Sequence, residues 1–163
     1  MKRQWTREEL TEQWTLAPEE LALLANKAGA TRLGFALLLK AFLLEGGFPR
    51  QKHELPGVVI AHLAKQVDVP AELYPRYDWS GRTIEYHHGQ IRAFLGFREA
   101  TVQDVNELVA GLAEQVLPHE HREDHVRDAL VERCRALHIE PPRAWSHRSP
   151  GAVGLPPVRG ALV

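Results

Sequence analysis

The stretch Leu33-Gly-Phe-Ala-Leu-Leu-Leu-Lys-Ala-Phe-Leu-Leu44 is the longest apolar run in the chain, and only Gly34 and Lys40 interrupt it. It is too short to cross a bilayer, which takes roughly 20 apolar residues in a helix. Because the run is apolar nearly all round, it predicts a buried central helix over residues 31–45, which the Gly-Gly pair at 46–47 ends. Glycine lowers helix propensity, so we expect Gly34 to be there because another helix approaches it closely.

Helix start and stop signals place further helices on both sides of this run. Thr6 and Glu9 have the spacing of a capping box, and Pro18 suits the first position of a second helix, which Gly29 is expected to end. No alternation of period two indicates a sheet. Apolar residues at spacings of three and four predict further helices at 58–67, 84–95, 102–116 and 120–138. The sequence therefore predicts an all-α protein of about six to eight helices, packed as one compact bundle or as two small lobes.

The composition of the sequence changes at residue 143. Residues 1–142 carry the helical pattern, and we expect them to form the folded domain. Residues 143–163 are basic, rich in proline and glycine, and without periodicity, which predicts a disordered tail.

Composition limits the classes of protein that the chain can represent. The 163 residues carry a formal net charge of -1, so the chain lacks the overall basic excess of many nucleic-acid binders. Local patches govern attraction to phosphate, however, and acidic residues elsewhere can cancel the total without covering a patch. The single cysteine, Cys134, falls in a helical pattern and is expected to be a buried thiol. With no signal-peptide pattern after Met1, we expect a cytoplasmic protein that does not enter a membrane.

The best candidate for a nucleic-acid surface is Trp79-Ser-Gly-Arg-Thr-Ile-Glu-Tyr-His-His-Gly-Gln-Ile-Arg-Ala-Phe-Leu-Gly-Phe-Arg98. It is predicted to form a loop and a helix that Thr83 caps and Gly96 ends, with basic residues at both ends. The packed side of the helix is expected to carry Ile84, Ile91, Phe94 and Leu95.

Arginine side chains make the opposite side of this helix the predicted DNA face, since a guanidinium group can bind phosphate or the acceptors of guanine. Of the two histidines at 87 and 88, one is expected to pack at the edge and the other to meet solvent or phosphate. A second contact area is predicted at Lys27 and Arg32, with Lys40 as a further member. The candidate DNA-binding residues are Arg82, Thr83, Tyr86, His88, Gln90, Arg92, Arg98, Lys27 and Arg32.

Three blocks, residues 32–49, 79–98 and 139–142, resemble in this order the N-terminal region of Tn3-family transposases. The resemblance covers about residues 5–142 and implies a helical region that binds double-stranded DNA at the terminal inverted repeats of a transposon. In that family the catalytic carboxylates and their divalent metal belong to a separate ribonuclease-H-like domain. We therefore expect a truncated transposase or remnant that is not an enzyme and uses no cofactor, metal or small-molecule substrate. The family often has arginine where Gly47 and His88 stand here, and both differences lower the positive charge.

The sequence also allows interpretations other than DNA binding. His121 and His125 could share one face of a helix and bind a metal, but a solvated helix start is the plainer explanation. Trp5, Trp14 and Trp79 could stack on bases, although tryptophan in a helical protein more often packs into the core. The near-neutral charge also suits a helical protein-interaction module, and the aperiodic tail suits an inactive relic.

Overall fold

The computed structural model describes residues 1–115 and 123–145, and it confirms the all-α class. These residues form two compact units, Met1–Ile91 and the part of the chain from Arg92 onward. The predicted disordered tail, apart from residues 143–145, lies outside the described residues. The α-helices are α1 (Arg7–Gln13), α2 (Pro18–Ala22), α3 (Gly29–Glu45), α4 (Gly57–Val67), α5 (Arg82–Leu95), α6 (Val102–Gln115) and α7 (Glu123–Ala136). Short 3-10 turns occupy Lys52–Glu54, Ala71–Arg76 and Arg143–Trp145.

Local sequence signals set the beginnings of the first two helices. The Thr6 hydroxyl accepts from the Glu9 amide at 3.1 Å, and the Glu9 carboxylate accepts from the Thr6 amide at 2.8 Å, which confirms the capping box. Pro18 is the first residue of α2, also as predicted. The prediction for Gly29 was wrong: it begins α3 with φ 59° instead of ending α2, which stops at Ala22.

Helix α3 is the centre of the first unit, and its apolar run is buried as predicted. Gly34 lies directly against the ring of Tyr77, so the close neighbour at this glycine is an aromatic side chain and not a helix. Gly46 adopts φ 81° and its amide donates to the Phe42 carbonyl at 2.8 Å, which ends the helix. Lys40 avoids an unpaired charge in this apolar helix by donating to Glu20 of α2 at 3.1 Å.

The N-terminal segment is held to α4 by the side chain of Gln66. Its amide oxygen accepts from the Leu16 amide at 2.8 Å, and its amide nitrogen donates to the Trp14 carbonyl at 3.0 Å. Trp14 is fully buried and meets Trp5 edge to face with 5.8 Å between ring centroids. This tryptophan therefore packs into the core, as expected.

The second unit has its own apolar core between α6 and α7. Cys134 is fully buried there, and burial raises the pKa of its thiol to about 11. No pattern in the sequence indicated a sheet, yet Arg98–Glu99 (β1) pairs in parallel with Ile139–Glu140 (β2). A strand of two residues is too short for an alternation of apolar and polar residues to be recognised. The buried core side chains are Leu108, Val109, Leu112, Val126, Leu130, Cys134, Ile139 and Trp145.

None of the helices in the described residues is both long and apolar enough to span a membrane.

Candidate nucleic-acid interface

Helix α5, which carries the predicted DNA face, has clear boundaries. The Asp78 carboxylate accepts from the amide and the hydroxyl of Ser80, both at 2.9 Å, and this turn leads into the helix. The helix begins at Arg82, so Thr83 lies in its first turn and is not the cap that the sequence predicted. Gly96 ends it with φ 75°, as predicted.

Four side chains on the inner face of α5 are buried: Ile84, His87, His88 and Ile91. Ile84 and Ile91 were expected there. Phe94 was placed on this face wrongly, because 39% of its surface is exposed. Its position lies about 60° around the helix from that of Ile91, at the edge of the buried stripe. The inner face fixes which residues of α5 point to solvent.

His88 must be withdrawn from the predicted DNA contacts. Its ring is 6% exposed and stacks on Phe48, with 4.0 Å between the centroids and 18° between the planes. His87 is buried as well, so neither histidine meets solvent, contrary to the expectation that one would. A histidine can pack in the core when an aromatic side chain from a distant part of the chain stacks on it. The sequence around the histidine does not indicate that such a neighbour exists.

The outer face of α5 in the first unit retains Arg82, Thr83 and Tyr86, all of which are exposed. Tyr86 is 66% exposed. Gln90 is half-buried on the same side of the helix. Glu85 is also exposed, so the charge of this face is balanced and not strongly cationic.

Arg92, the first residue of the second unit, forms ion pairs with carboxylates of the same unit. Its guanidinium group donates to Glu140 at 2.7 Å, and Glu99 lies 3.7 Å away. The side chains of Arg92 and Glu140 are 19% and 17% exposed, so the pair is largely shielded from water. Burial raises the pKa of Glu140, and the hydrogen bond from Arg92 acts against that rise. Within the second unit, this arginine joins the last turn of α5 to β2, and it is not presented as a phosphate ligand.

Arg98 is engaged in the same way. Both of its terminal nitrogens donate to Asp104, at 2.6 and 2.9 Å. This contact raises the pKa of Arg98 and holds that of Asp104 below its usual range. The Asp104 carboxylate also accepts from the Thr101 amide at 2.7 Å, as part of the cap of α6. Arg98 is still 57% exposed, but its charge is compensated.

The predicted second contact area is not a solvent-facing cationic surface. Lys27 is 9% exposed, and its ammonium group lies 4.6 Å from the centroid of the Phe35 ring. Burial lowers the pKa of this lysine. Arg32 is half-buried, and its Nε atom is shielded from solvent without a hydrogen-bond partner in the described residues.

No pattern in the sequence indicated that Glu140 and Asp104 would form ion pairs with Arg92 and Arg98. Glu140 lies 48 residues from Arg92, so no local pattern could join them. The contact between Arg98 and Asp104 could have been predicted more easily, because the two residues are close in the sequence. Thr101 and Asp104 have the spacing of a helix cap, and Arg98 lies just before them.

Residues 1–115 and 123–145 contain no group of three histidine, cysteine or acidic side chains that could hold a metal ion. His121, of the histidine pair considered above, lies outside those residues, and His125 is exposed on α7.

A family model described as a domain of unknown function (DUF4158) matches residues 1–145 of the chain.

Proposed function

The chain belongs to the DUF4158 family, a domain of unknown function. We propose that it is a module that binds double-stranded DNA through the outer face of α5. The observation that carries the proposal is the arrangement of this helix. Its inner face is anchored by four buried side chains, while Arg82, Thr83 and Tyr86 stand exposed on the other side.

An α-helix of this size fits the major groove, where sequence can be read from the edges of the bases. The Arg82 guanidinium can bind guanine or a phosphate. Gln90 is not assigned a base contact, because its Oε1 atom is shielded from solvent. Thr83 and Tyr86 carry hydroxyl groups that can bond to phosphate oxygens. Arg92 and Arg98 are assigned to holding the second unit together, because each guanidinium already forms an ion pair with a carboxylate.

The resemblance of blocks 32–49, 79–98 and 139–142 to Tn3-family transposases supports a narrower proposal. The DNA is then the terminal inverted repeat of a transposon, and the described residues supply recognition without cutting or joining. In excess, such a module would compete with an intact transposase for the same ends.

The proposal is tested by a mobility-shift titration with the element's inverted repeat and a scrambled duplex of the same composition. We expect Arg82→Ala/Tyr86→Ala to weaken binding to the repeat by at least about tenfold, since one direct contact is worth roughly 1–3 kcal/mol. Arg7→Ala is the matched control, because it removes an exposed arginine of α1 in the same unit. Equal binding to both duplexes contradicts specificity, and full binding by the double variant contradicts the role of α5.

A second candidate is a helical module that binds another protein. It is favoured by the compensated arginines and by apolar side chains exposed in the second unit, where Val102 is 79% and Leu137 50% exposed. Salt separates the two candidates. Contacts to phosphate make log K fall with log salt by nearly one unit for each contact, whereas apolar docking to a protein responds far less. A slope near zero in the DNA titration would favour the protein partner.

A further inference from the structure

Half of the side chains that anchor α5 are titratable. Of the four buried residues on its inner face, two are the adjacent histidines His87 and His88. A helix held only by isoleucine and leucine would have an anchor that is indifferent to pH. The anchor of α5 depends on the charge state of imidazole rings, which ordinarily changes near pH 6.5.

His87 lies in surroundings that suit only its neutral form. It is 2% exposed, and its Nδ1 atom is 2.6 Å from the Tyr77 hydroxyl. The Tyr77 ring stacks on the imidazole with 8° between the planes, and the Phe35 ring meets it edge to face with 5.1 Å between centroids. The buried ammonium of Lys27 lies over that same Phe35 ring.

The titratable groups that the described structure brings to His87 are all neutral or positive. They are Tyr77 from the segment before α5, Lys27 from the segment before α3, and Tyr86 and His88 from α5 itself. Protonation of His87 would therefore add a second cation beside Lys27 in a dry, aromatic site, with no carboxylate among these groups. Burial, and then Lys27 and His88, lower the pKa of His87 to about 4.

The sign of the pH dependence follows from the lowered pKa of His87 in the docked helix. An opened α5 exposes His87 to water, where its pKa returns to about 6.5. The opened form therefore binds a proton more readily than the docked form at any pH between about 4 and 6.5. Docking is at full strength above pH 6.5 and weakens as the pH falls toward 4.

We propose that His87 makes the docking of α5 acid-labile, so that the outer face of the helix is presented at neutral pH and withdrawn in mild acid. The proposal rests on the proposed function for its biological meaning, because the outer face is the proposed DNA face. It predicts a pH dependence opposite to that of an ordinary protein surface, which binds DNA more tightly in acid because its histidines become positive.

Hydrogen exchange of the amides of residues 84–91 tests the structural part without any DNA. After correction for the intrinsic rate at each pH, we expect exchange at pH 5.5 to be faster than at pH 7.5 by about tenfold, from the shift between the two forms. His87→Leu should abolish most of this difference, whereas His53→Gln, a change at an exposed histidine, should preserve it. Equal protection at the two pH values would overturn the proposal, as would an equal acceleration in α3.

An NMR titration of the His87 ring in the unchanged protein keeps the test decisive if His87→Leu does not fold. A folded-state titration near pH 6.5 would overturn the proposal. DNA binding, if present, should then be weaker at pH 5.5 than at pH 7.5 in the wild type and less so in His87→Leu. A protein that binds no DNA but shows the acid-dependent exchange disproves the proposed function alone, and the reverse result disproves the acid-labile docking alone.

Discussion

Gly34→Ala is expected to lower the free energy of unfolding by about 3 kcal/mol, at the upper end of the usual cost of overpacking a core. A Cβ atom at this position would overlap the ring of Tyr77. The ring cannot move aside at small cost, because it also stacks on His87 and its hydroxyl is hydrogen-bonded to that histidine. Urea denaturation, followed by circular dichroism, measures the loss.

Gly57→Ala provides the matched control for this substitution. Gly57 is the first residue of α4 in the same unit, and a Cβ atom there would meet nothing within 4 Å. We expect this variant to be as stable as the wild type or slightly more stable, because alanine favours helix. Equal stability of the Gly34 and Gly57 variants would mean that Tyr77 does not pack against α3 as described.

Glu20→Ala is expected to cost about 3 kcal/mol of stability, because removal of one partner leaves a buried charge uncompensated. The side chains of Lys40 and Glu20 are only 11% and 10% exposed, and they meet at 3.1 Å. The same carboxylate also accepts from the Ala17 amide at 2.8 Å, so its loss removes a bond at the start of α2 as well. Thermal and urea denaturation both measure the effect.

A double variant distinguishes the charge from the hydrogen bond. Glu20→Ala/Lys40→Met should be more stable than Glu20→Ala, because it removes the ammonium group that the single variant leaves unpaired. Glu19→Ala, at the exposed neighbouring position, should change stability by no more than about 0.5 kcal/mol. If the double variant is less stable than Glu20→Ala, the uncompensated charge is not the source of the loss.

Patterns within one or two helical turns predicted most of the fold. The Thr6–Glu9 capping box, Pro18 at a helix start and the glycine stops at 46 and 96 each depend on a few neighbouring residues, and each was found where the sequence placed it. The apolar run in α3 was identifiable as core for the same reason, since no other arrangement hides apolar residues that surround the whole helix.

The candidate site was predicted less well because its residues are defined by partners far away in the chain. Hydropathy marks histidine as polar, whereas ring contacts with Phe48, Phe35 and Tyr77 help to make the two histidines of α5 core residues. Arg92 and Arg98 have the composition of a phosphate site, but each meets an acid that a scan of the helix itself does not include. The sequence did predict the helix and its exposed side, which carries Arg82, Thr83 and Tyr86.

The border between the two compact units falls after Ile91, inside the unbroken helix α5. Joining a foreign sequence at this border would interrupt the helix within a turn. Backbone carbonyl groups before the border would then lose the amide groups that donate to them. A junction after Phe97 would keep the left-handed Gly96 and the bond from the Phe97 amide to the Arg92 carbonyl at 2.8 Å. A shortened chain made to study the N-terminal unit should therefore end after Phe97 and not after Ile91, so that α5 is kept whole.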